Sequence, residues 1–204
     1  TNLLTYSDDF GNAAWTESRC SITANAVVAP DGTMTADKIV EDTTVTSTHR
    51  IYQFRSKAAS AITYTYSVFV KAAERYRAQL TLGDATESDK CSCVFNLSTG
   101  TASAPVEVGF TAASATITPA ADGWYRLTLT GTSDTETTVS TMLFLADGAG
   151  NTGYTGNGTS SLYAWGAQLE VGSFATSYIP TTSAAVTRAA DVASVPGLGQ
   201  LHGR

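Results

Sequence analysis

The 204-residue sequence predicts an all-β fold, an antiparallel β-sandwich of two sheets. Three observations carry the prediction. Segments in which apolar and polar residues alternate recur about 8–15 residues apart, separated by turn signals. Threonine is the commonest residue, and with Tyr and Val it favours pleated structure. No segment carries the 3.6-residue apolar period of an amphipathic helix.

The elements follow in order. Leu3–Tyr6 reads as a short apolar strand, Ser7-Asp8-Asp9 as a turn, and Phe10 and Trp15 as plugs at the sandwich edge. Ser21–Ala29 alternates and ends at Pro30-Asp31-Gly32-Thr33, where Pro sets φ and Gly tolerates φ > 0, so the chain turns. Thr35–Glu41 is the next strand and Asp42–Ser47 a polar loop. Thr48–Arg55 places Arg50, Tyr52 and Phe54 on one side and His49, Ile51, Gln53 and Arg55 on the other. Ile62–Ala72 is the clearest strand, with Tyr64, Tyr66, Val68 and Val70 on one face and Thr63, Thr65, Ser67, Phe69 and Lys71 on the other. Arg77–Leu82 follows, then Cys91–Leu97 running into a Ser98-Thr99-Gly100-Thr101 hairpin turn. Thr116–Thr118 is a short strand. Asp122-Gly123 introduces Trp124–Thr132, where Trp124, Arg126, Thr128 and Thr130 oppose Tyr125, Leu127 and Leu129. Thr137–Ala146 and a late strand through Tyr163–Glu170 complete the set. In that last strand Tyr163, Trp165, Ala167 and Leu169 alternate with Ala164, Gly166, Gln168 and Glu170, and the first group reads as core. Together these elements describe a jelly roll over residues 1–182. Ser183–Arg204, rich in small residues, reads as a linker or flexible C-terminal tail.

Composition narrows the function. With 43% hydrophobic and 15% charged residues the chain suits one well-buried domain rather than a coiled coil. The net charge is −6 and the Lys and Arg residues are scattered, so there is no basic stripe and nucleic acid is not expected as a partner. No apolar run approaches the ~20 residues of a membrane helix, so no membrane partner is expected either. The opening Thr1-Asn2-Leu3-Leu4 lacks the regions of a secretory signal, from which we expect a removed leader or a domain of a longer chain. Cys20, Cys91 and Cys93 are odd in number and read as small buried hydrophobes, and His49 and His202 offer no zinc-ligand spacing. There is no G-x-S-x-G elbow and no HExxH, and most of the acidic residues sit in loops beside Gly or Thr as turn formers. The GNTGYTGNG stretch has no following helix or Lys to hold phosphate and reads as a flexible connecting loop. The expectation is that the chain is not an enzyme.

An ordered set of elements carries a resemblance: NLLTYSDDFGNAAW, APDGTMTADKIVED, YTYSVFVKA, VFNLSTGT, DGWYRLTLTGT, YTGNGTSSLYAWGAQLEVGSFATSYIPTT and a final VTRAADV. The set, spanning Asn2 to Val192, resembles the carbohydrate-binding-module-like jelly roll of bacteriophage tail, fibre and head-spike proteins. The resemblance implies a non-catalytic domain that binds poly- or oligosaccharide, recognising host-surface glycans. It also implies a place in a virion or outside the cell, with neighbouring domains of a larger chain as partners. Two alternatives stay open: a structural adaptor of a fibre or spike without glycan affinity, and an accessory module of a polysaccharide-degrading enzyme.

Sugar recognition on a sandwich needs rings to lie against the apolar face of a pyranose and planar polar groups to reach its hydroxyls. Phe69 and Lys71, Arg77 and Gln79, Trp124 and Arg126, and Gln168 and Glu170 lie on the polar faces of four strands, and we expect them to line one concave sheet. Arg126 and Gln168 are the expected hydrogen-bonding anchors, and Trp124 is either a platform or an edge plug. Tyr52, Tyr76 and Tyr154 form a second candidate at the rim loops. The resemblance raises one structural Ca²⁺ or none. Asp8, Asp9, Asp31, Asp37 and Glu170 are the available donors, and Asp147–Asn151 is a loosely calcium-like loop. Where the relatives place an Asp pair in the last strand, this chain has Trp165-Gly166-Ala167.

Overall fold

The computed structural model describes residues 1–189, over which the chain is a β-sandwich of jelly-roll type. Its strands are β1 (Thr16–Ser18), β2 (Cys20–Val27), β3 (Ala36–Glu41), β4 (Ser47–Thr48), β5 (Arg50–Ser56), β6 (Thr63–Ala72), β7 (Arg77–Gly83), β8 (Lys90–Asn96), β9 (Thr101–Ala102), β10 (Val106–Val108), β11 (Thr111–Pro119), β12 (Trp124–Thr132), β13 (Thr138–Ala146), β14 (Gly153–Tyr154) and β15 (Ser161–Val171). The first sheet runs β1-β5-β13-β7-β8-β10, with β9 on β8. The second runs β11-β12-β6-β15-β3-β2, and β4 pairs with β14 apart from both. All strand pairs in both main sheets are antiparallel.

Alternation decides which side chains enter the core. On β6 and β12, Tyr66 opposes Leu129 and Val68 opposes Leu127, facing inward. In the first sheet Leu80 lies between Leu143 and Cys93. These residues and Phe95 are buried in one continuous core, where each large apolar side chain contributes about 1.5–3 kcal/mol. Phe10 and Trp15 belong to that core and pack edge to face, 5.0 Å between centroids.

Leu3–Tyr6 is not a strand. β3 flanks β15 only as far as Ala164, and the N-terminal segment takes over beside the remainder. Leu3 N–H donates to Leu169 O (2.8 Å) and Ala167 N–H to Ser7 O (2.8 Å). The buried Asn2 amide completes the seam, donating to Ala167 O and Ile179 O and accepting from the N–H groups of Leu4 and Leu169. Gln53 does the same for Thr5, accepting its N–H (2.9 Å) and donating to its carbonyl (3.1 Å). Regular pairing fails because Tyr6 sits at φ 49° and turns the chain. The unforeseen β1, β4, β9, β10 and β14 are two or three residues each, too short to show a period.

β15 differs from its predicted form. Trp165 opposes Phe69 and Gln168 opposes Ser67, so two residues, Gly166 and Ala167, face one on β6. This bulge, with Gly166 at φ +65°, shifts the alternation by one. Leu162, Ala164, Ala167 and Leu169 point into the core, while Tyr163 and Trp165 join Gln168 and Glu170 on the outer face. The assignment of Tyr163 and Trp165 to the same face as Ala167 and Leu169 is therefore corrected.

Pairing continues past Thr182: Val186 bridges Asn2, with Asn2 N–H to Val186 O at 2.9 Å. The rest of the expected tail, from residue 190 onward and including His202, lies outside the described residues, as does the end of the VTRAADV element. Among the described residues no helix is long and apolar enough to cross a membrane.

Candidate functional site

The outer face of the second sheet divides into a covered and an open part. Near the β2–β3 connection, Trp124, Trp165, Ala29 and Ala36 form a small separate core with Phe69, Tyr163 and Tyr178 packed against it. Trp124 Nε1 donates to Val28 O (3.1 Å) and Trp165 Nε1 to Thr35 Oγ1 (3.0 Å), which ties the connection down over both indoles. Trp165 lies 4.5 Å from the Tyr178 ring and 5.5 Å from Phe69. At 1% exposure Trp124 plugs this core and offers no platform.

The open part is a cleft of about 340 Å³ over β11 and β12. Its floor is a cross-strand ladder, Ser114 opposite Thr130, Thr116 opposite Thr128 and Thr118 opposite Arg126. Its wall is the turn Ser173-Phe174-Ala175, from which Phe174 stands 70% exposed. Arg126 is held in place: Nη2 donates to Ser67 Oγ (2.9 Å) and the guanidinium lies 5.5 Å from the centre of the Phe69 ring. Its Nε is buried without a partner. Burial pulls the Arg126 guanidinium below its ordinary range, and the charge of Glu170 acts in the opposite direction. Among the described residues no carboxylate pairs with it.

Gln168 and Glu170 reach the predicted face but are buried, and they build the wall. Glu170 accepts the Thr176 N–H (2.8 Å) and hydroxyl (2.7 Å). Gln168 donates to Glu170 (2.7 Å) and accepts the Ile179 N–H (2.7 Å). Together they pin the segment carrying Phe174 and Tyr178 onto the sheet. The expectation of a Gln168 anchor contacting sugar is corrected on this point: its polar atoms are engaged inside the protein.

Of the eight expected residues, six share this sheet, with Lys71 opposite Trp124 and Phe69 opposite Arg126. Lys71 is half-buried beside the covered core. Arg77 and Gln79 lie on β7 in the other sheet, so the single groove of eight residues is also corrected. Gln79 donates to Thr81 Oγ1 there (3.2 Å). The three rim tyrosines do not converge: Tyr52 stacks on Arg50 on β5, Tyr154 is buried against Glu41, and Tyr76 is 38% exposed after β6. Phe174 and the β11 hydroxyls were not foreseen. The Ser114, Thr116, Thr118 alternation in TAASATITP was the available signal.

Three of the five calcium donors come together, and Glu170 does not join them. Asp8, Asp9 and Asp37 line a pocket of about 310 Å³ with Asn25 and Thr35, while Glu170 is engaged at Thr176. Asp37 accepts the N–H groups of Phe10 (2.8 Å) and Asn25 (2.9 Å), clasping the N-terminal turn to β2. Burial raises the Asp8 and Asp37 carboxyls above the ordinary range, with neighbouring carboxylates adding to it. Asp31 is occupied by Thr33, and Asp147 by the amides of Ala149 and Asn151. Ca²⁺ collects six to eight oxygens, and the carboxylates of Asp8, Asp9 and Asp37 with the side-chain oxygens of Asn25 and Thr35 are the donors that this pocket would offer it.

No protein-family model and no characterised protein sequence matches the chain. The solved structures similar to the chain include the following two. One is the enzymatically active domain of tailspike protein 4 from bacteriophage CBA120, at 13% identity and TM-score 0.49 over 83% of this chain. The chain spans 21% of that tailspike's length. The other, described as CBM4 structure and function, is 17% identical with TM-score 0.41, covering 82% of this chain and 84% of its own. Neither similarity carries a ligand or an activity over to this chain.

Proposed function

We propose that the chain is a non-catalytic glycan-binding module that takes a poly- or oligosaccharide in the β11–β12 cleft. The observation that carries this is the pairing of an exposed ring, Phe174, with an immobilised guanidinium, Arg126, across a floor of hydroxyl side chains. The ring can lie against a pyranose face. Arg126 supplies planar donors to sugar oxygens, and Thr116, Thr118 and Thr128 can donate or accept as each hydroxyl requires. The cleft lining carries no carboxylate, which supports binding without the paired acids of glycoside hydrolysis. In this reading the module belongs to a larger virion or extracellular protein and presents the cleft to host-surface glycans.

Affinity electrophoresis and a glycan array test the proposal. Arg126→Ala and Phe174→Ala are each expected to weaken binding at least about tenfold, the loss of one charge-assisted contact or one stacking surface. Circular dichroism should remain unchanged, since Phe174 is exposed. Binding of uncharged glycans that survives both substitutions overturns the cleft; absence of binding to every glycan favours the adaptor.

A further inference from the structure

Arg77, which the topology removes from the cleft, has a cavity of its own. It opens on the first sheet, measures about 370 Å³, and is lined by Arg77, Val94, Asn96, Thr101, Ser103 and Gly150 among others. Among the described residues Arg77 makes no ion pair and no side-chain hydrogen bond, and its Nε is buried without an acceptor. In a chain with 18 acidic residues against 12 basic ones, a half-buried guanidinium without a carboxylate is an unmet demand for an anion.

The loop after β13 keeps that demand open. Asp147 could have answered it, but its Oδ1 accepts the N–H groups of Ala149 (2.9 Å) and Asn151 (2.8 Å) and its Oδ2 the Asn151 amide (3.0 Å). The loop thus curls on its own carboxylate and presents Gly150 to Arg77. Gly150 has φ +95°, and a Cβ there would lie 3.5 Å from Arg77 Nη1 and 3.4 Å from Val94 Cγ1. A side chain there would only touch Arg77 and Val94, and it is the positive φ that favours glycine at this position. The Tyr76 ring lies 5.9 Å from the guanidinium, and its hydroxyl donates to Gly148 O (3.4 Å). Asn96 accepts from Ser98 through Oδ1, and among the described residues its amide N–H groups have no internal partner.

We infer that this cavity is a second ligand site, independent of the β11–β12 cleft, for the acidic group of an anionic saccharide. Arg77 grips the carboxylate, sulfate or phosphate in a forked contact, Asn96 and the Thr101 hydroxyl reach neighbouring sugar oxygens, and Tyr76 offers a partly exposed ring at the rim. The saccharide half of the inference rests on the glycan reading above; the anion half does not.

The test reads the side-chain Nε–Hε resonances of Arg77 and Arg126 in ¹⁵N-labelled protein of the natural sequence, assigned by triple resonance. The titrants are galacturonate, galactose 6-sulfate, galactose 6-phosphate, galactose and inorganic sulfate. The expected result is a saturable shift at Arg77 with at least one acidic sugar, with galactose inert and inorganic sulfate weaker. The inference is overturned by no saturable response at Arg77, by an equal response to galactose, or by inorganic sulfate matching the acidic sugars. A response confined to Arg126 overturns the second site while leaving the cleft standing.

Discussion

Glu41→Ala is expected to lower the free energy of unfolding by about 3–5 kcal/mol, the loss that follows when one partner of a buried ion pair is removed. Glu41 is 1% exposed at the end of β3. Arg75 grips it through Nε (2.8 Å) and Nη2 (2.6 Å), Tyr154 OH donates to Oε2 (2.7 Å), and the Asn157 N–H donates to Oε1 (2.9 Å). Arg75 also lies 4.7 Å from the Tyr154 ring centre, and Tyr154 packs 4.8 Å from His49. One carboxylate therefore fastens the Gly-rich stretch from Gly153 to Ser160 to the sandwich. Tyr154 and Asn157 thus pin the GNTGYTGNG stretch, expected to be a flexible connecting loop, to the sandwich. Urea denaturation of Glu41→Ala, Arg75→Ala and the double variant Glu41→Gln/Arg75→Met separates the terms. Each single variant leaves a buried group unpaired, so the double variant should lie closer to the parent than their summed losses. A loss below about 1 kcal/mol in both singles would sink the account.

The same group sets a pH dependence. Burial alone would raise the Glu41 carboxyl, but Arg75, Tyr154 and the Asn157 amide outweigh it and hold it below the ordinary 4.5. A carboxylate depressed in the folded state stabilises fully above its unfolded value and loses that contribution as pH falls through the folded one. The parent should therefore lose stability below about pH 4.5 more steeply than Glu41→Gln. Identical acid limbs for the two proteins would refute this.

How much of this was legible depended on the range of each interaction. β6 and β12 could be read in full, because Tyr64, Tyr66, Val68 and Val70, and Leu127 and Leu129, declare a period of two within one strand. Arg126 followed from the same alternation. Which strands share a sheet is another matter: period two says which face a residue takes, not whose neighbour its strand becomes. Arg77 and Gln79 were therefore grouped with Arg126 although β7 pairs with β8 and β13. The Glu41–Arg75–Tyr154 network was out of reach for a related reason, since its members lie on segments joined only by the fold. Phe174 escaped because a ring in a turn belongs to no alternating run.

Gly166→Val is expected to damage the protein more than deletion of Gly166, and the contrast tests the bulge directly. Valine at φ +65° is strained by about 1–3 kcal/mol. Its Cβ would also press on Phe69 Cδ2 at 3.3 Å and Tyr178 Cε2 at 3.4 Å, and displacing packed rings costs a further ~1–3 kcal/mol. Relief by straightening the strand is closed off. A straight β15 of the full length would turn either Tyr163 and Trp165, or Gln168 and Glu170, through the sheet into the core. Removing the residue instead leaves Trp165 opposite Phe69, Ala167 opposite Val68 and Gln168 opposite Ser67, so every side chain keeps its face. Chemical denaturation followed by tryptophan emission measures both variants, and the Arg126–Phe69 contact predicts that Gly166→Val also weakens glycan binding. If Gly166→Val unfolds within about 1 kcal/mol of the parent, the register of β15 is wrong, and with it the placement of Trp165 in the covered core of the outer face.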